Sequence, residues 1–159
     1  MAGIFATAGA KIYIGNTLDA QSADFVLSDF AGQSWVQIGW PENMGEFGDE
    51  STEITFDAIS ENRTQKLKGT RNAGNIALVC GVDHDDEGQI SLIAAEKTPN
   101  DYAFKVEFND APVGGTPSER YFIAKVMSAR EVLDTTNNVV RLNATLGVNS
   151  NIVHVDPTP

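Results

Sequence analysis

The sequence predicts a mainly β protein, a sandwich or barrel carrying a single helix. Three observations lead there. Segments of alternating apolar and polar residues recur along the chain, separated by clusters of Gly, Pro, Asn and Asp, the pattern of half-buried strands joined by turns. One stretch alone, within residues 75–96, switches to helical spacing. Hydrophobic residues make up 42% of the chain, ordinary for a globular domain, and no apolar run approaches the ~20 residues of a membrane-spanning helix. A length of 159 residues suits one domain, residues 1–159, with a sizeable core.

Residues 1–10 read as a flexible end. They hold an A-x-A pattern at Ala6 and Ala8 but neither the basic start nor the long apolar region of a signal peptide. Residues 11–14 form the first strand, Ile12 and Ile14 facing one way and Lys11 and Tyr13 the other. Residues 16–33 are polar and irregular, yet Phe25, Val26, Leu27 and Phe30 need burial somewhere. Residues 34–40 return to strand, with Val36, Ile38 and Trp40 opposite Trp35 and Gln37, and Pro41 ends it. Gly45 and Gly48 turn the chain into a strand over residues 53–58, with Ile54, Phe56 and Ala58 on one face.

Ser60–Gly74 reads as a long loop, since Leu67 is its only large apolar residue. Loops of that length are uncommon in compact domains and are usually functional. Ile76 to Val82 is a short apolar run, as in a strand covered on both faces, broken at Gly81. Asp83 is the expected N-cap of a helix at about Asp85–Glu96, since its carboxylate can accept from the free N–H groups of the next turn. Ile90 and Ile93 are its expected inward face, and Lys97 and Pro99 close it. Residues 101–109 give the cleanest alternation, with Tyr102, Phe104, Val106 and Phe108 on one side. Two long strands follow over residues 120–130 and 139–148, a short extension over 151–155, and a frayed tail over 156–159. The expected core includes Phe56, Leu78, Phe104, Val106, Leu142 and Leu146.

Charge is unevenly placed. The formal net charge is −11, which keeps a protein soluble and repels polyanions, against static nucleic-acid binding. Glu42, Glu46, Asp49, Glu50, Glu53 and Asp57 lie in a stretch without Lys or Arg, followed by Arg63, Lys66, Lys68 and Arg71. Four basic charges without interleaved aromatics make a weak nucleic-acid site. The same run also reads as a plain solvated loop; a third reading is self-association, since an acidic segment and a basic loop on one chain suit head-to-tail contacts between neighbouring copies, which build rings or filaments.

Catalytic and metal patterns are missing, so no enzyme and no cofactor is expected. His84 and His154 stand apart without a cysteine pair, and there is no nucleophile elbow, P-loop or dinucleotide fingerprint. Asp83, Asp85, Glu87 and Gly88 begin like a calcium loop, but the position that needs a bidentate acid is Ala94. The single cysteine, Cys80, lies in the apolar run and reads as a small buried hydrophobe.

An ordered set of segments resembles a known family. W-x-Q-I-G at Trp35 to Gly39 and G-E-F-G at Gly45 to Gly48 are followed by K-L-K-G-T-R-N-A-G at Lys66 to Gly74, which runs into N-I-A-L-V-C-G and the helix. The later D-Y-A-F-K-V-E-F-N, R-Y-F-I-A-K-V-M-S-A-R-E and L-N-A-T-L-G-V-N-S-N-I-V segments fit as well. Together they resemble the tail tube proteins of tailed bacteriophages, the long non-contractile type, across nearly the whole chain. The resemblance implies a sandwich of two antiparallel sheets flanked by one helix, a fold shared with the tubes of type VI secretion systems. It implies subunits in hexameric rings, stacked into a tube whose acidic lumen conducts DNA without binding it specifically. The partners it implies are other copies of the chain, a tape measure protein inside the tube, and tail terminator and distal tail or baseplate proteins. No membrane insertion is expected. The implied place is the virion tail, assembled in the host cytoplasm. In the family a long loop reaches adjacent rings, and Ser60–Gly74 with Arg63, Lys66, Lys68 and Arg71 corresponds to it; the acidic residues from Glu42 to Asp57 are the candidate interface or lumen. The competing reading is a monomeric β-sandwich that binds a partner or decorates a virion.

Overall fold

The structure, a computed structural model, describes residues 3–159; of the end expected to be flexible, Met1 and Ala2 lie outside the described residues. In chain order it contains β1 (Lys11–Thr17), β2 (Val36–Ile38), β3 (Pro41–Asn43), β4 (Glu50–Phe56), β5 (Gln65–Asn72), β6 (Asn75–Gly81), α1 (Glu87–Glu96), β7 (Tyr102–Glu107), β8 (Glu119–Val132), β9 (Arg141–Val148) and β10 (Val153–Val155). Every pairing between these strands is antiparallel.

The layering follows from β8, the longest strand. Its first half, Glu119 to Ala124, pairs with β7, and its second half, Ala124 to Val132, pairs with β9. A register shift between Val126 and Ser128 bends it at the crossover, as a bulge does. β10 takes the free edge of the first half. The eight-stranded sheet in the order β2-β1-β7-β8-β9-β6-β3 is therefore two layers sharing one bent strand. They enclose a common core of Ile12, Ile38, Leu78, Phe104, Phe122, Leu142 and Leu146, each at most 1% exposed. Phe104 and Phe122 stack at 5.7 Å between ring centroids. Two antiparallel sheets and one helix are present as expected. The smaller sheet is β4 with β5 alone, and the larger does not close into a barrel among the described residues.

The helix sits at the seam where closure would occur. β2 and β3 lie at opposite edges of the sheet, yet only Gly39 and Trp40 separate them in sequence. The chain turns there with Trp40 in the left-handed region at φ 57°, a conformation uncommon for a bulky residue. α1 packs on β1, β2 and β8. Asp86, not Asp83, is its N-cap, accepting from the N–H of Gln89. The helix starts one turn later than Asp83 can serve, and that side chain is used elsewhere. One of its oxygens accepts from Asp85 N–H at 3.0 Å and the other from the Trp40 indole at 3.0 Å. The inward face is Gln89, Leu92 and Ala95, while Ile90 is 52% exposed and Ile93 partly buried. Sequence periodicity misplaced this face because its first residue, Gln89, is polar. Buried Gln89 donates to the carbonyls of Gly39 and Gly81 and accepts from Asp83 N–H, so the apolar pattern skips it.

The polar stretch before β2 covers the outer face of β7 and β8. Phe25 and Phe30 pack there against Ala103, Tyr121 and Ile123, whereas Val26 and Leu27 stay half exposed. Asn151 clamps this flap by bonding both the N–H and the carbonyl of Phe25.

Candidate assembly surface

β4 and β5 stand apart from both layers. Among the described residues they pair only with each other, and neither strand contains a buried residue. Residues 60–74, expected as a loop, are mostly strand. Only residues 57–64 connect the two strands. The strand signal lies in cross-strand partners rather than in periodicity: Ile54 opposes Leu67, and Glu53 opposes Lys68, pairings that stabilise antiparallel ribbons. Phe56, expected in the core, is 60% exposed because no layer lies beneath the hairpin. Seven residues at ~3.3 Å each give an arm on the order of 23 Å long.

The arm has two unlike faces. Ile54, Phe56 and Leu67 share one, and Glu53, Thr55, Lys66 and Lys68 the other, as the register requires. Lys66 Nζ lies 3.5 Å from Glu53 with both side chains exposed, so this pair adds little stability. At the root Arg71 meets Asp49 at 2.6 Å, the carboxylate side chain being 21% exposed. Of the four basic residues, Lys66, Lys68 and Arg71 lie on β5 and Arg63 in the connection.

The acidic residues do not form one surface. Glu42 on β3 meets Arg141 at 2.6 Å. Glu46 and Asp49 lie between β3 and β4, Glu50 and Glu53 on β4, and Asp57 just beyond it. The complementarity expected between copies is thus partly used within one chain, at Lys66 with Glu53 and Arg71 with Asp49.

Sequence reading missed an array on the outer face of β1 and β7. Lys105 Nζ lies 4.5 Å from the Tyr13 ring centroid, 5.5 Å from that of Trp35 and 3.3 Å from Glu107. Tyr13 and Tyr121 donate to Glu107 and Glu119. Burial, then these carboxylates, raises both phenol pKa values. Only the cross-strand register, which sets Glu107 opposite Glu119, brings these groups together, so no local motif announces them. Cys80 is fully buried, and burial pushes its thiol to about 11 with Asp86 adding to the shift; it is a packing residue at neutral pH. Among the described residues no group of three or more His, Cys, Asp or Glu could hold a metal ion.

No family model and no curated protein matches the chain by sequence. Solved structures do match it over nearly its whole length. One is from the six-fold symmetrised baseplate of the anti-feeding prophage, at 10% identity and TM-score 0.68 over 98% of each chain. Another is the SPP1 tail tube, at 15% identity and TM-score 0.61 over 92% of this chain and 77% of that one. The chain has the tail tube fold. A third match with this fold is the sheath/tube terminator of an extracellular contractile injection system, at 12% identity and TM-score 0.64 over 96% and 97%. At these identities the likeness is one of fold, and a fold alone does not carry a function.

Proposed function

We propose that this chain is a structural subunit of a phage tail tube, without catalytic activity, that forms hexameric rings stacked into a hollow conduit for DNA. The observation that carries the proposal is an arm of about 23 Å with no core of its own on a domain of tail tube fold. A two-stranded ribbon is marginal in water by itself, so a second copy is the natural support for this one. Arg63, Lys66, Lys68 and Arg71 act as the inter-subunit set. Glu42, Glu46, Asp49, Glu50, Glu53 and Asp57 supply interface or lumen charge. A net charge of −11 disfavours adhesion of DNA passing through the channel. Tape measure, terminator and distal tail or baseplate proteins are the further partners, in a virion tail assembled in the host cytoplasm.

The fold also occurs in a baseplate and a terminator, so position along the tail depends on whether rings stack on both faces. Electron microscopy of concentrated protein is the test. Extended tubes of six-fold rings are the expected result. Single rings that never stack would move the chain to a tube end. A compact monomer in sedimentation at high concentration would overturn the proposal in favour of a monomeric binding or decoration module.

A further inference from the structure

A cleft of about 250 Å³ opens beneath the N-terminal segment, lined by Phe5, Met44, Phe47, Val106 and Phe108. It is smaller than the usual small-molecule pocket of roughly 300–1,000 Å³, and it suits one large apolar side chain. Its floor is fixed by the core. Phe47 lies 5.9 Å from Phe122 between ring centroids, and Met44, Phe47 and Phe108 pack on the main cluster. Its outer wall is Phe5, 47% exposed and 6.1 Å from Phe108 between centroids. The segment carrying Phe5 is held in place where Asn109 donates to the Ala8 carbonyl at 2.8 Å.

The hairpin carries the complementary shape. Ile54, Phe56 and Leu67 are 47%, 60% and 58% exposed on one face, and none of them lines the cleft of its own chain. The hairpin tip adds a charge: Arg63 is exposed in the connection that follows Phe56, while exposed Glu46 sits on the cleft rim between Gly45 and Phe47. We infer that Phe56, with Ile54 and Leu67 beside it, seats in the Phe5–Phe47–Phe108 cleft of a second copy of this chain. Knob and cleft are different places on one molecule, so the contact is heterologous and repeats from copy to copy. The aromatic knob in a fixed apolar hole is the anchor, and exposed Arg63 of the hairpin tip against Glu46 sets orientation. The inference rests on the tube reading, for which it names the receiving surface.

The test uses cysteines in the full chain, since Cys80 is fully buried. Ala6→Cys on the cleft lining is combined with Gln65→Cys, the register partner of Phe56, and Leu133→Cys with Gln65→Cys is the control, Leu133 being 66% exposed just past the far end of β8. After assembly, mild oxidation should give a ladder of disulfide-linked copies from the first pair and not from the control, because a disulfide needs Cα atoms within about 7 Å. Phe56→Asp should raise the concentration needed for assembly by about tenfold or more. Tubes that form with no Ala6–Gln65 ladder, or that form from Phe56→Asp at the normal concentration, would overturn the cleft and leave the tube reading standing. Wild-type protein that forms neither rings nor tubes would remove both.

Discussion

One carboxylate oxygen of Asp86 accepts from the backbone N–H of Gly39 at 2.9 Å, and the same oxygen accepts from Gln89 N–H at 2.9 Å. A helix cap thus doubles as the tie between α1 and the corner where β2 passes to β3. The approach is close enough that a Cβ at Gly39 would lie 2.5 Å from the other Asp86 oxygen. Asp86→Ala removes the cap and leaves the partly buried Gly39 N–H unpaired, an expected loss of ~2–3 kcal/mol. Asp83→Ala loses only exposed bonds to Asp85 and Trp40 and should cost below ~1 kcal/mol. Urea titration of both variants checks this, and equal losses would mean that the helix is capped from Asp83 after all.

Phe104 and Phe56 look alike in sequence, each on the apolar side of an alternating segment. Phe104 is fully buried and stacked on Phe122, whereas Phe56 is 60% exposed. Phe104→Ala should destabilise by ~3–5 kcal/mol and Phe56→Ala by less than ~0.5 kcal/mol in the free subunit. A large loss from Phe56→Ala in denaturant titration of monomer would place the hairpin against the body.

That contrast marks how far the sequence could be read. Strands whose apolar residues face the shared core, such as β1, β7 and β9, were legible because burial imposes period two on them. The helix was legible in place but not in face, because Gln89 serves backbone carbonyls inside the core. The hairpin was half legible. β4 alternates, but nothing in a single segment says whether its apolar side meets a layer or open solvent. β5 carries one large apolar residue, and its strand character depends on partners in β4. The Phe5–Phe47–Phe108 cleft unites three distant segments and leaves no local trace.

Alkaline pH should weaken the fold through Tyr13 and Tyr121. Both phenols are raised above the ordinary value of 10.0, first by burial and then by Glu107 and Glu119. Folded values above unfolded ones mean that their contribution is fully present below pH 10 and is lost as pH rises through the folded values. Absorbance titration should show these two tyrosines ionising late in native protein and at ordinary pH in urea. Tyr121→Phe should remove part of the alkaline loss of stability. An identical titration with and without urea would contradict the packing of both rings.

The hairpin charges separate folding from assembly. Lys66 and Lys68 lie on the exposed face of a ribbon that pairs with no other strand among the described residues, so the body does not depend on them. Lys66→Glu with Lys68→Glu sets two new carboxylates beside Glu53, since Lys68 is its register partner. Like charges directly opposite destabilise a ribbon by roughly 0.2–1 kcal/mol, enough to loosen the arm and too little to unfold the domain. Circular dichroism and the melting temperature of the double variant should therefore match wild type. Assembly should fail, because the reversed arm is repelled by the net negative charge of the next copy. Salt offers an independent check. Exposed charges are screened beyond ~8 Å at physiological ionic strength, so added salt should weaken wild-type assembly if steering by these lysines matters, and should partly rescue the reversal by muting its repulsion. Normal tubes from the double variant, seen by electron microscopy beside an unchanged dichroism spectrum, would show that these lysines take no part in joining copies.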